Sequence, residues 1–519
     1  MAMVLLRSAS SGYYLNSVLW LHKRLMRAVA FVKNALVSPT SLRARIMRGS
    51  FWSFIGSTIS YGTAFAAGLA AAQILGKSGF GELSMIRNTI STIGIFAGLG
   101  LGLTATKHVA EYREKAPERT ARIIRLCQLT ALVSGVVMTL VLAIGSSFIA
   151  TTLLAAPHLA SSLIIGSLLL FIYSYDGTQK GILAGFEAYR RTAAILAIGG
   201  LLTLVSVITG TYVWGVNGAL MGFLVSASTV LFLNSYAIRV ERRQNKIPGE
   251  VKGAWTEKKV LVDFSLPALF SGLIMGVSIW IVNMMLVNQP NGYEQMGIIG
   301  ATNYITTFAM FVPNAALQAF LPILSMELNR DVYVQTSRRL LILNSYTAFF
   351  FTTSFVAIML YFVPAIMHLF GTDFGDGRIA LVFALCALPV LTYKDGIARF
   401  IQAKSLLWFA FMSNLVWAII LIFSAQMLID YGASGITLAL LCSYILNSMI
   451  FVPIYYRKLN MNRQIWRDAS LGAILALSLL PAAFSNFVSL NFSFLSLLFI
   501  VTICGICIAA LLIWKWFQE

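Results

Sequence analysis

Fourteen apolar segments fill this chain, and they restrict what it can fold into. Each is long enough for an α-helix to cross the hydrocarbon core of a bilayer, which takes about 20 mostly apolar residues. Hydrophobic residues make up 58% of the chain and charged residues 11%, whereas soluble domains carry about 25% charged residues. The sequence therefore predicts an all-α integral membrane protein with about fourteen transmembrane helices. The segments lie near 50–74, 84–106, 124–149, 160–183, 192–213, 215–238, 264–287, 296–322, 340–364, 378–400, 406–428, 433–456, 468–486 and 493–515.

Positive charge lies almost entirely in alternate connections between these segments. The N-terminal 49 residues hold 8 Lys and Arg residues, connection 107–125 holds 6, and connection 239–259 holds 7. Counted with Lys394 and Arg399, which lie near the cytoplasmic end of the tenth segment, this set of connections holds 34 of the 38 Lys and Arg residues, and the opposite set holds only Lys77 and Arg378. Cytoplasmic loops carry the Lys and Arg excess of membrane proteins. We therefore expect both termini of this multi-pass protein to be cytoplasmic.

The formal net charge of +19 could suggest a nucleic-acid partner. The longest cytoplasmic connection, 239–263, is too short to be a basic soluble domain that would bind one. The positive-inside pattern and attraction to anionic lipid explain the charge instead. The predicted partner is therefore the lipid bilayer, with no nucleic acid.

All five cysteines fall within predicted spans, and Cys504 and Cys507 form a C-x-x-C. In a soluble protein such a pair suggests redox or metal chemistry. Here neither histidine nor a second cysteine pair accompanies it, so two small apolar residues of a lipid-facing helix are the simpler interpretation. We predict no metal site and no cofactor, while coupling to H⁺ or Na⁺ stays open.

Residues 1–49 form a basic segment ahead of the first span. On a helical wheel, apolar residues share one face and Arg24, Arg27 and Asn34 lie opposite. This pattern predicts a cytoplasmic amphipathic helix in the inner-leaflet interface, and a loosely ordered tail that only sets topology is the alternative. The apolar face consists of Leu15, Val18, Leu25, Val29, Val32 and Leu36.

A short motif, D-G-x-x-[K/R], begins at Asp176 in the fourth segment and again at Asp395 in the tenth. The two copies are 219 positions apart, and the first and seventh segments are separated by a similar length of chain. This spacing indicates a six-helix unit that is used twice in the same orientation. The predicted organisation is an N-terminal segment 1–49, a first lobe 50–238, a linker 239–263, a second lobe 264–456, and two further helices within 457–519.

Six charged residues within the apolar segments are candidate site residues, because charge inside the membrane is costly and faces a partner or a cavity. One interpretation is structural. An acid followed by a base four residues later is a favourable intrahelical pair, so Asp176 can neutralise Lys180, and Asp395 can neutralise Arg399. The long basic side chains can also reach the lipid phosphates. The six are Arg87, Asp176, Lys180, Lys394, Asp395 and Arg399.

The alternative interpretation is functional: these groups line a net-positive cavity that binds a phosphate-bearing head group. If both acids pair with bases, Arg87 and Lys394 are left over, and both are positive. Arg offers a bidentate fork to phosphate oxygens, and Lys a mobile point charge. The sequence thus predicts Arg87, Lys394, Lys180 and Arg399 as substrate contacts, with Asp176 and Asp395 as ion-pair or coupling groups.

The chain shows none of the sequence patterns of common catalytic sites. It contains no H-E-x-x-H, G-x-S-x-G or P-loop motif, and no nucleotide-binding domain. The longest outer connection, about 365–377, is too short to carry the catalytic residues of a membrane-embedded transferase. These features favour a transporter over an enzyme.

Several stretches resemble the Wzx-type O-antigen flippases, in the polysaccharide transporter branch of the multidrug/oligosaccharidyl-lipid/polysaccharide (MOP) exporter superfamily. The resemblance covers about residues 45–460, and its most specific block includes Arg87. The matching stretches are 75–82, 86–89, 96–107, 181–189, 288–293, 312–313 and 321–325.

The resemblance implies two parallel six-helix lobes in a V around a central cavity, with two extra C-terminal helices. It implies that an undecaprenyl-pyrophosphate-linked oligosaccharide is moved from the cytoplasmic to the periplasmic leaflet of the bacterial inner membrane by alternating access. Basic cavity residues belong to such flippases, which implicates Arg87. Polysaccharide polymerase machinery is a possible partner. Lys180 and Lys394 lie outside any motif that matches.

Three other classes of protein compete with this interpretation. A multidrug exporter of the same superfamily would need an acidic cavity for cationic drugs, and the intramembrane excess of bases speaks against it. A peptidoglycan lipid II flippase would share the basic cavity and stays open as an alternative. A scaffold that transports nothing would have no need of buried charge.

Overall fold

The computed structural model describes residues 42–249, 251, 253–261, 266–328, 335–403, 407–458, 472–474, 477, 479–487 and 498–509. These residues are almost entirely helical, and no strand occurs among them. The predicted amphipathic helix within 1–49 lies outside the described residues, apart from 42–49, which already belong to the first helix. The main helices are α1 (Leu42–Gly98), α2 (Leu101–Tyr112), α3 (Pro117–Phe148), α4 (Ala160–Gly185), α5 (Tyr189–Gln244), α6 (Leu266–Val287), α7 (Gly292–Leu328), α8 (Gln335–Tyr361), α9 (Val363–Leu369), α10 (Arg378–Ala403), α11 (Leu407–Met427) and α12 (Gly432–Lys458).

Helix α1 reverses direction at Gly76, which has a φ of 69° that suits glycine. Before the reversal, α1 runs antiparallel to α7, since Phe65 packs on Phe308 and Tyr61 on Phe311. After it, α1 runs parallel to α7: Gly81 lies against Gly297, and Arg87 lies against Tyr304. One assigned helix of 57 residues is therefore two antiparallel crossings joined by a tight turn.

Helix α5 contains a second reversal of this kind at Trp214 and Gly215, where φ and ψ leave the helical region. The Ser206 hydroxyl donates to the carbonyl of Gly222 at 2.8 Å, and Thr203 Oγ1 lies 2.5 Å from Ser226 Oγ. These pairs are centred on residue 214, so 189–213 and 216–244 form a helical hairpin. The sequence predicts these as separate spans that meet near residue 214.

When both hairpins are divided, the described residues up to Lys458 form two six-helix lobes. The first comprises α1 to α5, with α2 counted together with the second half of α1 as one broken span. The second comprises α6 to α12, with the short α9, which turns from α8 by 76°, counted together with α8. Even when the α1 and α5 hairpins are each counted as one helix, seven of the described helices are long and apolar enough to span a membrane. The predicted all-α membrane fold with two parallel lobes is confirmed. Of the two further predicted spans, the described parts of 472–487 and 498–509 are largely helical.

The charged connections gather at one end of the molecule. Arg119 Nε lies 3.1 Å from Glu257 Oε2, so the inter-lobe linker docks on the start of α3. Arg113 Nη2 lies 2.7 Å from Glu187 Oε1 beside it. We call this the basic end, and in the predicted orientation it faces the cytoplasm.

The opposite end should be accessible from outside the cell. In a variant without native cysteines, a cysteine at Asn291 or Gly375 should react with a membrane-impermeant maleimide in intact cells. A cysteine at Gly249, in the linker at the basic end, should react only after lysis, because the reagent cannot reach the cytoplasm. The measurement is labelling before and after lysis, and labelling at 291 only in lysed cells would contradict the predicted topology.

Candidate functional site: a cavity between the two lobes

A cavity of about 850 Å³ lies between the lobes. Its walls come from α1, α2, α4 and α5 of the first lobe and from α6 and α7 of the second. Along α1 and α2 the lining runs from Ser84 past the end of α1 to Leu103 in the first turn of α2, towards the basic end. The cavity can therefore hold a ligand that touches both lobes.

Arg87 is the one charged residue among the described residues that line this cavity. Its guanidinium carbon lies 4.6 Å from the ring centroid of Phe223 and 5.4 Å from that of Tyr304. It also donates a hydrogen bond to the Tyr304 hydroxyl. Aromatic faces stabilise a cation that has left bulk water, and a planar guanidinium stacks on them well. Since Tyr304 belongs to α7, this contact joins the two lobes at the cavity wall.

The rest of the cavity surface is uncharged and has many hydroxyl and amide groups. Asn88, Ser91, Asn303 and Thr307 line it, and the carbonyl oxygen of the Asn88 side chain is buried with no hydrogen-bond partner among the described residues. Aromatic rings, including Tyr61, complete the wall. Amides and hydroxyls both donate and accept hydrogen bonds, as sugar hydroxyls do. None of the described lining residues is a carboxylate.

A helix break opens onto the cavity near the basic end. Between α1 and α2, Leu99 and Gly100 have φ angles of 46° and 66°. Opposite the break, α4 contributes Ser174 and Thr178, which line the cavity and are buried, with relative exposures of 6% and 1%. Neither hydroxyl oxygen has a hydrogen-bond partner within the described part of the chain. The cavity thus has a second polar wall, distinct from Arg87.

Asp176 and Lys180 do not line the cavity. Lys180 Nζ lies 2.6 Å from Asp176 Oδ2, and Asn234 Nδ2 donates to Asp176 Oδ1 at 2.7 Å. The carboxylate is buried, while the Lys180 side chain is about half exposed, at 47%. This arrangement ties α4 to α5 within the first lobe.

The second lobe has a related arrangement with the opposite charge. Lys394 Nζ donates to Asn447 Oδ1 at 2.5 Å and lies 5.5 Å from the ring centroid of Tyr444. Neither Lys394 nor Asp395, which is exposed, is among the cavity-lining residues. Arg399 lies on α10, and its side chain falls outside the described residues. Of the six intramembrane charges predicted as a site, the structure brings Arg87 alone to this cavity within its described part.

Exchanging the charges of Asp176 and Lys180 tests whether they act only as a pair. Lys180→Ala leaves a buried carboxylate with one amide partner, which should cost about 1–3 kcal/mol of stability. The double variant Asp176→Lys with Lys180→Asp should recover most of that loss, because Asn234 can turn its carbonyl oxygen towards a lysine, as Asn447 does towards Lys394. Thermal unfolding of purified protein measures this, with Lys180→Arg as control. A double variant as unstable as Lys180→Ala would contradict the pairing.

The lobes also meet at the end away from the basic end. Lys77 Nζ lies 3.0 Å from Asp376 Oδ2, and Gln73 Nε2 donates to the carbonyl of Leu369 at 2.7 Å. Tyr293 of α7 donates to the carbonyl of Leu154 at 2.8 Å. Behind these contacts, Phe80 packs against rings of the second lobe, namely Tyr304, Phe370 and Phe374. We call this set of contacts the sealed end.

The sequence does not reveal Tyr304, Phe223, Ser174 or Thr178 as cavity residues. The two aromatic residues lie on apolar helices far from Arg87 in the chain, and nothing in their local sequence marks them. The D-G-x-x-[K/R] motif does draw attention to the neighbourhood of Ser174 and Thr178. The break at Leu99 and Gly100 has a signal in the crowded glycines Gly98, Gly100 and Gly102, which suit such a turn.

This fold is shared with solved structures of transporters. The inward-facing conformation of a multidrug resistance MATE family transporter of the MOP superfamily matches with a TM-score of 0.64 and 16% identity, covering 78% of this chain and 95% of that one. A MOP superfamily transporter from Pyrococcus furiosus matches with a TM-score of 0.60 and 17% identity, covering 81% and 96%. The chain has the MOP transporter fold, as the sequence predicts.

The family follows from the sequence comparison. The profile of the family described as polysaccharide biosynthesis protein matches residues 46–328, more than half of the chain. The chain therefore belongs to this polysaccharide biosynthesis family, which confirms the predicted relationship to proteins of polysaccharide export. A lipid III flippase of Escherichia coli strain K12 is 22% identical over 408 residues, which cover 77% of this chain and 95% of that protein. A lipid III flippase of Shigella flexneri matches to the same extent.

Proposed function

We propose that this protein is a flippase that moves an undecaprenyl-pyrophosphate-linked oligosaccharide, an O-antigen or similar repeat unit, from the cytoplasmic to the periplasmic leaflet. The bacterial inner membrane is its proposed location, and alternating access is its proposed mechanism. The observation that carries the proposal is the inter-lobe cavity, which has one cation and no carboxylate among its described lining residues. The polyprenyl tail would stay in lipid while the head group passes between the lobes.

Arg87 is the proposed contact for the pyrophosphate. A guanidinium can donate two parallel hydrogen bonds to phosphate oxygens, and both the charge and the geometry favour that ligand. Phe223 and Tyr304 would hold the guanidinium at the wall while its remaining N–H groups meet the ligand. The uncharged amides and hydroxyls around it suit the sugar hydroxyls of the same head group.

Alternating access requires that the cavity be closed at one end of the molecule while it is accessible from the other. The sealed end closes the path on the proposed periplasmic side, while the cavity lining continues towards the basic end. In the proposed cycle this arrangement is the stage that receives substrate from the cytoplasmic leaflet. Similarity to the lipid III flippase along nearly the whole of that protein supports a lipid-linked sugar as the substrate class.

The composition of the cavity weighs against a multidrug exporter. Cationic drugs would need an acidic partner in low dielectric, and no described lining residue supplies one. Lys394, Lys180 and Arg399 stay proposed substrate contacts, and Asp176 and Asp395 proposed pairing or coupling groups. H⁺ or Na⁺ coupling and a polymerase partner likewise stay proposals.

Deleting the gene in its native bacterium tests the proposal. We expect surface glycan to disappear and lipid-linked repeat units to accumulate on the cytoplasmic leaflet, with both reversed by a plasmid copy. Extracted lipids and surface glycan are measured, and peptidoglycan synthesis serves as the control. Normal surface glycan in the deletion strain would contradict the proposal, and arrested peptidoglycan synthesis would support the alternative, a lipid II flippase.

A further inference from the structure

The break between α1 and α2 places backbone amides in the wall of the cavity. Irregular backbone at membrane depth is tolerated where it is buried in protein or lines a cavity, and here Gly98, Gly100 and Leu101 line the cavity. The φ of 46° at Leu99 is unusual for a residue with a side chain. The backbone is therefore locally strained at Leu99, where a new helix begins.

The first turn of α2 has N–H groups without a backbone partner, and its residues line the cavity. Its first backbone hydrogen bond runs from Thr104 N–H to the carbonyl of Gly100, at 3.2 Å, so Leu101, Gly102 and Leu103 have no acceptor within the helix. Gly100 provides no side-chain cap. The positive end of the helix dipole is also here, since α2 runs for 12 residues from the cavity towards the basic end. Such half-helix N-termini bind anionic substrate groups in other transporters.

Ser174 and Thr178 supply an independent indication of a ligand at the same place. They lie one turn apart on α4 and flank Gly177, whose carbonyl oxygen would be 2.8 Å from a Cβ built on Gly102. Both residues therefore lie on the stretch of α4 that packs against the first turn of α2, and both line the cavity. Both oxygens are buried without a partner among the described residues, and a buried polar group left unpaired is costly. A ligand in the cavity would satisfy them.

The surrounding charge favours an anion. Asp176 lies between Ser174 and Thr178 in sequence, but two residues correspond to about 200° around a helix. Its carboxylate is directed to Asn234 and Lys180, which satisfy it within the first lobe. The described cavity lining contains no carboxylate, so nothing there opposes the positive end of α2.

We propose that the N-terminal turn of α2, together with Ser174 and Thr178, forms a second phosphate-binding subsite of the cavity. Gly98 is 11 residues from Arg87, or about 16 Å along the helix, which is more than one pyrophosphate group spans. One pyrophosphate therefore cannot contact both sites at once. Since α2 lies nearer the basic end, the pyrophosphate binds first at α2 and then at Arg87. The assignment of the ligand as a lipid-linked pyrophosphate rests on the proposed function, whereas anion binding at α2 does not.

Binding of a short-chain analogue tests the subsite directly. The full chain in phosphatidylcholine nanodiscs is titrated with geranyl pyrophosphate, and the dissociation constant is measured. Ser174→Ala with Thr178→Val should weaken binding at least about tenfold, because two hydrogen bonds to a charged group are lost. The matched control is Ser167→Ala with Thr211→Val. These residues are equally buried, lie outside the cavity lining, and donate only to carbonyls of their own helices.

Three further arms make the outcome decisive. Arg87→Ala should leave measurable binding, which the added Ser174→Ala and Thr178→Val changes should remove. Phosphatidylglycerol in the nanodisc should not displace the probe, and displacement would assign the subsite to a lipid head group instead. Equal loss in the control pair, or complete loss in Arg87→Ala alone, would overturn the proposal. If the protein binds the probe but does not restore surface glycan, the anion-binding subsite is supported and the proposed flippase function is rejected.

Discussion

Arg87→Ala should reduce delivery of glycan to the cell surface at least about tenfold while protein abundance stays near normal. Removing one charge-assisted contact to phosphate costs about 1.5–3 kcal/mol, which corresponds to about 10- to 100-fold. Arg87→Lys should recover part of the loss, because the charge is kept and the bidentate fork is not. Surface glycan measured against protein level in deletion cells that carry each variant is the readout.

Two controls separate the charge of Arg87 from its structural contacts. Tyr304→Phe removes the inter-lobe hydrogen bond and keeps the ring, so it should retain most delivery. Arg190→Ala removes an arginine that stacks on Trp52, at 5.5 Å, outside the cavity lining, and should be nearly silent. Delivery at the wild-type level in Arg87→Ala would remove Arg87 from the site. A defect in Tyr304→Phe as large as in Arg87→Ala would assign the effect to the lobe–lobe contact.

The fold could be predicted because it depends on two properties that a sequence displays directly. Apolar length defines the spans, and the distribution of Lys and Arg defines their alternation. The backbone reversals were harder to place. The sequence leaves residues 75–83 as a connection, whereas the structure turns at Gly76 and continues as helix, because one glycine with positive φ is enough to reverse two tightly packed helices. Likewise, the predicted second span 84–106 contains the α1–α2 break, which average apolarity does not detect.

The site was less predictable because its partners are distant in sequence. The sequence singles out Arg87 because no acid lies three or four residues away from it on its own helix. Its actual partners, Phe223 and Tyr304, are two of 35 Phe and 19 Tyr residues, and only packing selects them. For Lys394, helical spacing predicts a cation without a partner on its own helix, but Asn447 on another helix accepts its hydrogen bond. Helical spacing reveals neighbours within one helix and cannot show which helices meet.

Linking the two lobes across the sealed end should stop transport. In a background without native cysteines, cysteines replacing Lys77 and Asp376 are joined by a short cleavable bifunctional thiol reagent. The two side chains are in contact at 3.0 Å in the present state. Alternating access requires this contact to separate when the cavity opens on the other side. Glycan delivery should fall to background after cross-linking and return on cleavage, and each single-cysteine variant should be unaffected.

A matched cross-link within one lobe shows whether lobe separation is the cause. Glu82 Oε1 and His158 Nε2 lie 2.9 Å apart near the same end, and both belong to the first lobe. Cysteines at these two positions, joined by the same reagent, should leave delivery intact, because both move with one rigid unit. If both cross-links stop delivery, damage by the reagent explains the result. If complete cross-linking of 77 to 376 leaves delivery unchanged, the sealed end does not open during transport, and substrate must leave by another route.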